Sequence, residues 1–322
     1  MRSLKHLALM VVMICTFAAC NPASVPAAGS QPAAAAPAST GAAPAPTPIT
    51  TTIEGITVRS LFLGTDAAPL DVTFAFGSIW VANHHRSTVA RVDPETMSVQ
   101  AKIKVAPGPG WFVATRDALW VSNQLARGLT RIDPSTNSAD TRSGDWPSCL
   151  QPVVAFAAIW ESACDAHQIM RIDPKTNAST YNSALGHESL AFMGDRLMAG
   201  GDELARLDPV TGSFEPIAAL KGWICGSDAE TVWISDEARV YRVRPSDGKT
   251  LATFEIAKVG LVRFDEDRAL VLSERQLFVI DPGTNEIVRT IALTGFSPSI
   301  VAAAGALWLT NFDDSSLIRL VL

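Results

Sequence analysis

Side chains able to do chemistry are few and scattered in this chain of 322 residues. His84 and His85 follow "IWVAN", His167 precedes a strand-like run, and His187 adjoins Glu188 in "LGHESLAF". "HESLA" lacks the second histidine of a zinc-binding HExxH helix, and no GxSxG elbow, CxxC pair or phosphate-binding loop occurs. Two charges stand out because neighbours in the same repeat position are apolar. Glu161 occupies a row otherwise held by Val81, Val121, Ile234 and Leu309, and Arg263 one otherwise held by Val72, Phe112, Pro152, Leu190, Cys225 and Ile300. A charge in such a row is costly unless it is paired or functional. Each is therefore a candidate acid/base or anion-binding group, with a structural ion pair or a snorkelled chain as the alternative.

Aromatic and oxygen-bearing residues form two further sets. Of eight tryptophans, Trp80, Trp120, Trp160, Trp233 and Trp308 hold one repeated position and read as core. Trp111, Trp146 and Trp223, with Phe296, fall in connecting loops, where they either form an aromatic mouth for a sugar, peptide or apolar ligand or plug and pack the interior. Three residues past the repeated Trp position stand Asn83, Asn123, Ala163, Gly201, Asp236, Glu274 and Asn311, a ring of turn formers read as a solvated rim. Some could instead share a hard cation, though their spacing demands none.

What must position these residues is a repeat. Asp93, Asp133, Asp173, Asp208 and Asp281 open DP-type turns, and Arg244 stands in the same slot, at intervals of 35 to 40 residues. Counting "SIWVAN", "ALWVSN", "AIWESA", "RLMAGG", "TVWISD", "RALVLS" and "ALWLTN" gives seven units. Each contains short runs rich in Val, Ile, Leu and Thr between turn residues, and no useful amphipathic helix. Four strands in about 40 residues is a propeller blade. In the DPxTN turn, Asp accepts backbone hydrogen bonds, Pro presets φ, and the fifth residue takes the left-handed conformation. Met97 fills that fifth slot in the first unit, which predicts a strained or differently shaped turn there.

The chain ends on "SLIRLVL", a third strand with no fourth behind it, while "ITVRSLFLG" (56–64) precedes the first inner strand and resembles the outer ones. The reading is an all-β, seven-bladed propeller over 53–322 whose N-terminal strand completes the last blade and removes an exposed edge. An open solenoid lacks capping repeats, and a six-bladed ring would have to discard the unit ending "ARLDPVTG".

The repeats "LWVSN…RIDPSTN" resemble those of the YVTN and virginiamycin B lyase type of seven-bladed propeller. The resemblance is specific for fold and weak for function, because this architecture hosts lyases, lactonases, cofactor enzymes and binding proteins. Lyase members of that family use a His and Glu cluster with a divalent cation. No Glu-x-His pair occurs here, so no catalytic position carries over. Quinone-cofactor propellers share the turn but show a Trp soon after a TG pair, absent after Thr211-Gly212.

The N-terminus predicts an address. Arg2 and Lys5 precede an apolar run too short to span a bilayer, and Phe17-Ala18-Ala19-Cys20 resembles the bacterial lipobox with Phe in place of Leu. Residues 1–20 thus read as a lipoprotein signal with Cys20 as acceptor, and 21–52, Ala/Pro-rich and uncharged over 21–50, as a disordered tether. Removing the signal leaves 24 basic against 32 acidic residues, a formal −8 that disfavours nucleic acid. Cys149 and Cys164 fall on one face of the third blade and predict a disulfide, leaving Cys225 as a free thiol.

The expectation is a monomeric, lipid-anchored envelope propeller without a cofactor, binding a protein, peptide or glycan on its loop face through Trp111, Trp146, Glu161, His187, Trp223, Arg263 and Asn311. The alternative is a metal-dependent lyase or lactonase at the channel mouth, which requires at least three of Glu161, Asp165, His187, Asp236, Glu274, Asn311 and Asp313 to converge. A third reading, an assembly factor using the rim, requires an apolar patch on the outer edge.

Overall fold

Alternating apolar residues give strands that bury one or both faces, and here each run of four becomes one antiparallel sheet. The computed structural model describes residues 46–322 except 54, 143, 145 and 185, with Ile53 and Cys164 described by backbone only. Cys20 and most of the expected tether lie outside these residues. The inner strands of blades 1 to 7 are Pro69–Ala75, Pro109–Ala114, Val153–Ala155, His187–Met193, Trp223–Ser227, Val259–Asp265 and Ile300–Ala303. Six sheets have four strands and blade 7 has five. Each inner strand contacts that of the next blade, and that of blade 7 contacts that of blade 1, so the ring is closed.

Closure is made by Ile56–Phe62, which pairs antiparallel with the C-terminal strand Ser316–Val321 from Thr57↔Val321 to Phe62↔Ser316. A further strand, Ile49–Ile53, pairs outside it, so part of the segment expected to be tether is strand. Ile-Thr-Thr-Thr-Ile is rich in β-branched residues, which favour a pleated strand.

The repeated tryptophans Trp80, Trp120, Trp160, Trp233 and Trp308 are at most 1% exposed and pack between blades. Trp80, for example, lies with Phe112, Leu119 and Val121 of blade 2. Each stands directly opposite an arginine of the third strand: Arg91, Arg131, Arg171, Arg242 and Arg319. Three of these guanidinium groups lie over the ring, 5.0 Å from its centroid for Arg91, 5.9 Å for Arg171 and 5.6 Å for Arg319. Two continue across the blade boundary. Arg91 donates to Pro134 O at 2.6 Å and Asn137 Oδ1 at 3.0 Å in the next DP turn, and Arg242 donates to Pro282 O and to Asn285 Oδ1 at 3.0 Å.

The DP turns form as the sequence requires. Asp133 Oδ1 accepts from the Ser135 and Thr136 amides at 2.8 and 3.3 Å, and these hydrogen bonds, with that of the Ser135 hydroxyl, hold its pKa below the ordinary value. The fifth residue is left-handed at Asn137, Asn177, Gly212 and Asn285, and also at Met97, with φ 60°. The Met97 turn is not differently shaped: its amide donates to Asp93 O at 2.9 Å, as Asn137 does to Asp133 O. Its side chain is fully buried against Leu61 and Leu63, next to the closing strand. Burial of the thioether chain offsets the left-handed backbone, which costs a non-glycine residue about 1–2 kcal/mol. Met97→Gly should relieve that cost yet leave a cavity worth about 2–5 kcal/mol, a net destabilisation of about 1–3 kcal/mol by urea unfolding. The same replacement at the half-buried Asn137 should cost less.

Candidate binding face

The loops between successive blades, and the turns between second and third strands, share one face of the ring. On it the predicted site residues divide into those that plug the interior and those that reach the surface. Trp146, in the loop leading into blade 3, is 5% exposed and sits in a core cluster with Trp120 and Ile159. Its Nε1 donates to Glu161 Oε2 at 2.6 Å. Trp146 and Glu161 therefore hold each other inside the blade and do not line the mouth. Burial of the fully enclosed Glu161 raises its carboxyl to about 7, against the lowering effects of Ser148 and Trp146. Glu161 Oε1 and Ser148 Oγ lack a partner in hydrogen-bond geometry among the described residues.

A second correction concerns the asparagine ring. Asn83, Asn123 and Asn311 are at most 1% exposed, so the ring is not a solvated rim at these positions. Asn123 Oδ1 accepts from Thr130 Oγ1 at 3.0 Å, and Asn311 Nδ2 donates to Asp314 Oδ2 at 3.0 Å while its Oδ1 accepts the Asp314 amide. They brace their own hairpins. His187 is likewise inside, 9% exposed and stacked on Phe214 with ring centroids 4.2 Å apart. Of the remaining candidate ligands, Asp165 lies in the short turn Cys164–Ala166, and three others are engaged separately. Asp236 accepts from Tyr241 at 2.7 Å, Glu274 pairs with Lys258 at 2.9 Å, and Asp313 pairs with Arg275 at 2.7 Å. Among the described residues no group of three or more His, Cys, Asp or Glu side chains could hold a metal ion.

Cys149 is disulfide-bonded and Cys225 is a free, buried thiol whose pKa burial pushes up to about 12. The side chain of Cys164, the expected partner of Cys149, is outside the described ones. Trp111 and Trp223 are half-buried at the loop-face starts of the inner strands of blades 2 and 5.

Arg263 is placed differently from the sequence register. It stands opposite Leu270, which takes the Trp position of blade 6, so its counterparts are Thr73, Val113, Val153, Ala191 and Val301. By the same shift Ser273, not Glu274, is the counterpart of Asn311. No tryptophan marks this blade, and in its apolar run 269–272 the pairing selects Leu270. Arg263 Nη2 donates to Gln151 Oε1 of blade 3, and Nη1 to Val262 O at 3.0 Å.

What reaches the surface is an arc across blades 7, 1 and 2. Phe296 and Phe312 meet with centroids 6.1 Å apart, Phe312 meets His85 edge-on at 5.7 Å, and His85 meets His84 at 5.7 Å. His84 Nδ1 donates to Pro109 O at 3.2 Å, and burial, its largest influence, holds its imidazole below the ordinary value. Beyond Pro109, Leu125 is 70% exposed and lies on Gly108, where a Cβ would fall 2.6 Å from Leu125 Cγ. The arc is pinned by His85 to Asp66 at 2.8 Å and by the Phe296 amide to Asp313 Oδ2 at 3.0 Å. Phe296 was legible from its loop position. His84 and Phe312 each follow a buried turn asparagine, Asn83 or Asn311, and that shared offset was the available signal.

On the outer rim, a groove of about 300 Å³ is lined by Ile49, Ile56, Val58 and Phe62 of blade 7 and Ile291 and Leu293 at the edge of blade 6.

Glu161→Gln gives a direct test of the buried acid. A carboxyl raised from 4.5 to about 7 favours folding below pH 4.5, and that stability is lost as pH rises through 7. The wild type should lose up to about 3 kcal/mol relative to Glu161→Gln between pH 4.5 and 7.5 in denaturant titrations.

No family model and no curated protein matches the chain. Solved structures do. Virginiamycin B lyase from Staphylococcus aureus superposes with a TM-score of 0.67 at 12% identity, covering 83% of this chain and 99% of that one. BamB from Moraxella catarrhalis gives 0.58 at 12% identity over 85% of this chain and 100% of that one. The propeller domain of Cps50 (Swd1) from Myceliophteria thermophila gives 0.65 at 14% identity over 79% and 96%. At such identities the likeness is one of fold.

Proposed function

We propose that this chain is a lipid-anchored, extracytoplasmic propeller that works by binding, presenting its loop face to a protein, peptide or glycan. The observation that carries this reading is the arc Phe296–Phe312–His85–His84–Leu125. Exposed rings held in place by side-chain and backbone hydrogen bonds lose little entropy on contact, and such aromatic surfaces dominate recognition. The alternative, a metal-dependent lyase or lactonase, has less support, because its candidate ligands do not converge on one point among the described residues. The rim groove favours a second reading, in which an apolar partner docks on the outer edge.

Peptide and glycan arrays probed with the full chain should return ligands whose binding falls at least roughly tenfold in Phe296→Ala/Phe312→Ala, with the unfolding midpoint little changed. Binding that survives this double variant but is lost in Phe62→Asp would move the partner to the rim. Stabilisation by magnesium, manganese, calcium or zinc ions in thermal unfolding would instead support the lyase reading.

The N-terminal signal, Cys20 and the uncharged segment behind it support the envelope address. Cells fed radiolabelled palmitate should label the wild-type protein and leave Cys20→Ala unlabelled. Equal labelling of both would remove the lipid anchor from the proposal.

A further inference from the structure

The axis of the ring carries a charge that the fold does not require. In the row of inner-strand residues containing Arg263, the other blades place Thr73, Val113, Val153, Ala191, Gly226 and Val301, all small or apolar. Seven blades close around such residues without help from a cation. Arg263 nevertheless extends from blade 6 to Gln151 of blade 3, on the far side of the ring, so its guanidinium crosses the central channel. Gln151 lies just ahead of its inner strand, at the loop-face end, and Asp71 lies near the loop-face end within the longer inner strand of blade 1. Arg263, further along its own strand, thus sends its head group back toward the loop-face mouth.

The surroundings of that head group lack one component. Both of its acceptors, Val262 O and the Gln151 carboxamide, are neutral, and no carboxylate lies within ion-pair distance among the described residues. Asp71 and the Cys225 thiol are near enough to act on its charge without touching it. Asp71 is already engaged: Oδ1 accepts from the Val72 amide at 2.9 Å and from Ser299 Oγ, and Oδ2 from the Phe112 amide at 2.8 Å. A guanidinium has five N–H donors, of which two are used here. Arg263 is half-buried, and its remaining N–H groups have no acceptor among the described residues. A partly desolvated cation with open donors and a neutral carboxamide beside it is suited to a planar anion. Asp71 close by offsets part of the guanidinium charge, so a dianion would meet more repulsion there than a monoanion.

We propose that Arg263 and Gln151 form a carboxylate-binding site at the loop-face mouth of the central channel. The guanidinium fork receives the two oxygens and the Gln151 amide N–H₂ turns to donate to one of them. The carboxylate is that of a free small acid or of a peptide chain end reaching in from the loop face. The site stands or falls independently of the aromatic arc.

Calorimetric titration of the full-length protein with sodium acetate, at constant ionic strength, should give saturable binding. Arg263→Gln should abolish it, and Arg263→Lys, which keeps the charge and loses the fork, should weaken it at least roughly tenfold. Glycylglycine and its C-terminal amide identify the source. Tighter binding of the free acid than of acetate, with none by the amide, assigns a peptide chain end. Binding of acetate alone assigns a small acid. Absence of saturable binding by either acid to the wild type, or equal affinity in folded Arg263→Lys, overturns the proposal. Should Arg263→Gln fail to fold, bromide-soaked crystals of the wild type decide: anomalous density against Arg263 supports the site, and density only elsewhere overturns it.

Discussion

Everything in this molecule hangs on the hydrogen-bonded ladder between Ile56–Phe62 and Ser316–Val321. A ring of blades has two loose ends, and a strand supplied from one terminus to the sheet of the other converts them into a continuous sheet. The consequence extends past blade 7. Leu61 and Leu63 of the closing segment pack with Met97, Val72 and Trp308, so residues distant in sequence bury one another only when the ring is shut. Arg59 of the same strand donates to Thr96 O at 3.0 Å in the DP turn of blade 1. Closure is thus reinforced by the same type of contact that Arg91 and Arg242 make between other blades.

That contact explains why five of the seven repeats set an arginine opposite a tryptophan. The ring fills the space between two sheets, and the guanidinium opposite it lies over the ring at Arg91, Arg171 and Arg319 and reaches the neighbouring turn at Arg91 and Arg242. A lysine at these positions would keep the charge and lose both the planar stacking and the two-point reach. Inner strands are joined by a parallel device. Asp71, Ser189 and Ser299 each accept an amide of the next blade, from Phe112, Ile224 and Val72 respectively. Blade-to-blade adhesion is therefore polar at the axis, apolar in the middle and cationic toward the outer turns.

This division accounts for where function can sit. Polar groups inside the ring are mostly committed to one another, as Trp146 is to Glu161 and Asn311 to Asp314. Freedom to meet a partner is left to the turns above the buried asparagines, where Phe312 and His84 emerge, and to the channel, where Arg263 stands. The structural likeness to virginiamycin B lyase, BamB and the Cps50 (Swd1) propeller belongs to the frame, which proteins of different names share.

The sequence by itself determined the blades, their number and the manner of closure, because turn chemistry and strand alternation are local and repeat with the chain. It also marked Glu161 and Phe296 as unusual. Only the tertiary structure decided what they do, since burial depends on which loop folds over a strand. Trp146 and Glu161 are 15 residues apart and look alike to any reading of a channel mouth until the loop is seen to fold inward. Register in blade 6 was weakly marked in the sequence, where the run 269–272 is apolar throughout. Without a tryptophan to mark it, the pairing of Arg263 with Leu270 fixes the row. The contact between Arg263 and Gln151 spans 112 residues and exists because a closed ring sets opposite blades facing across one axis.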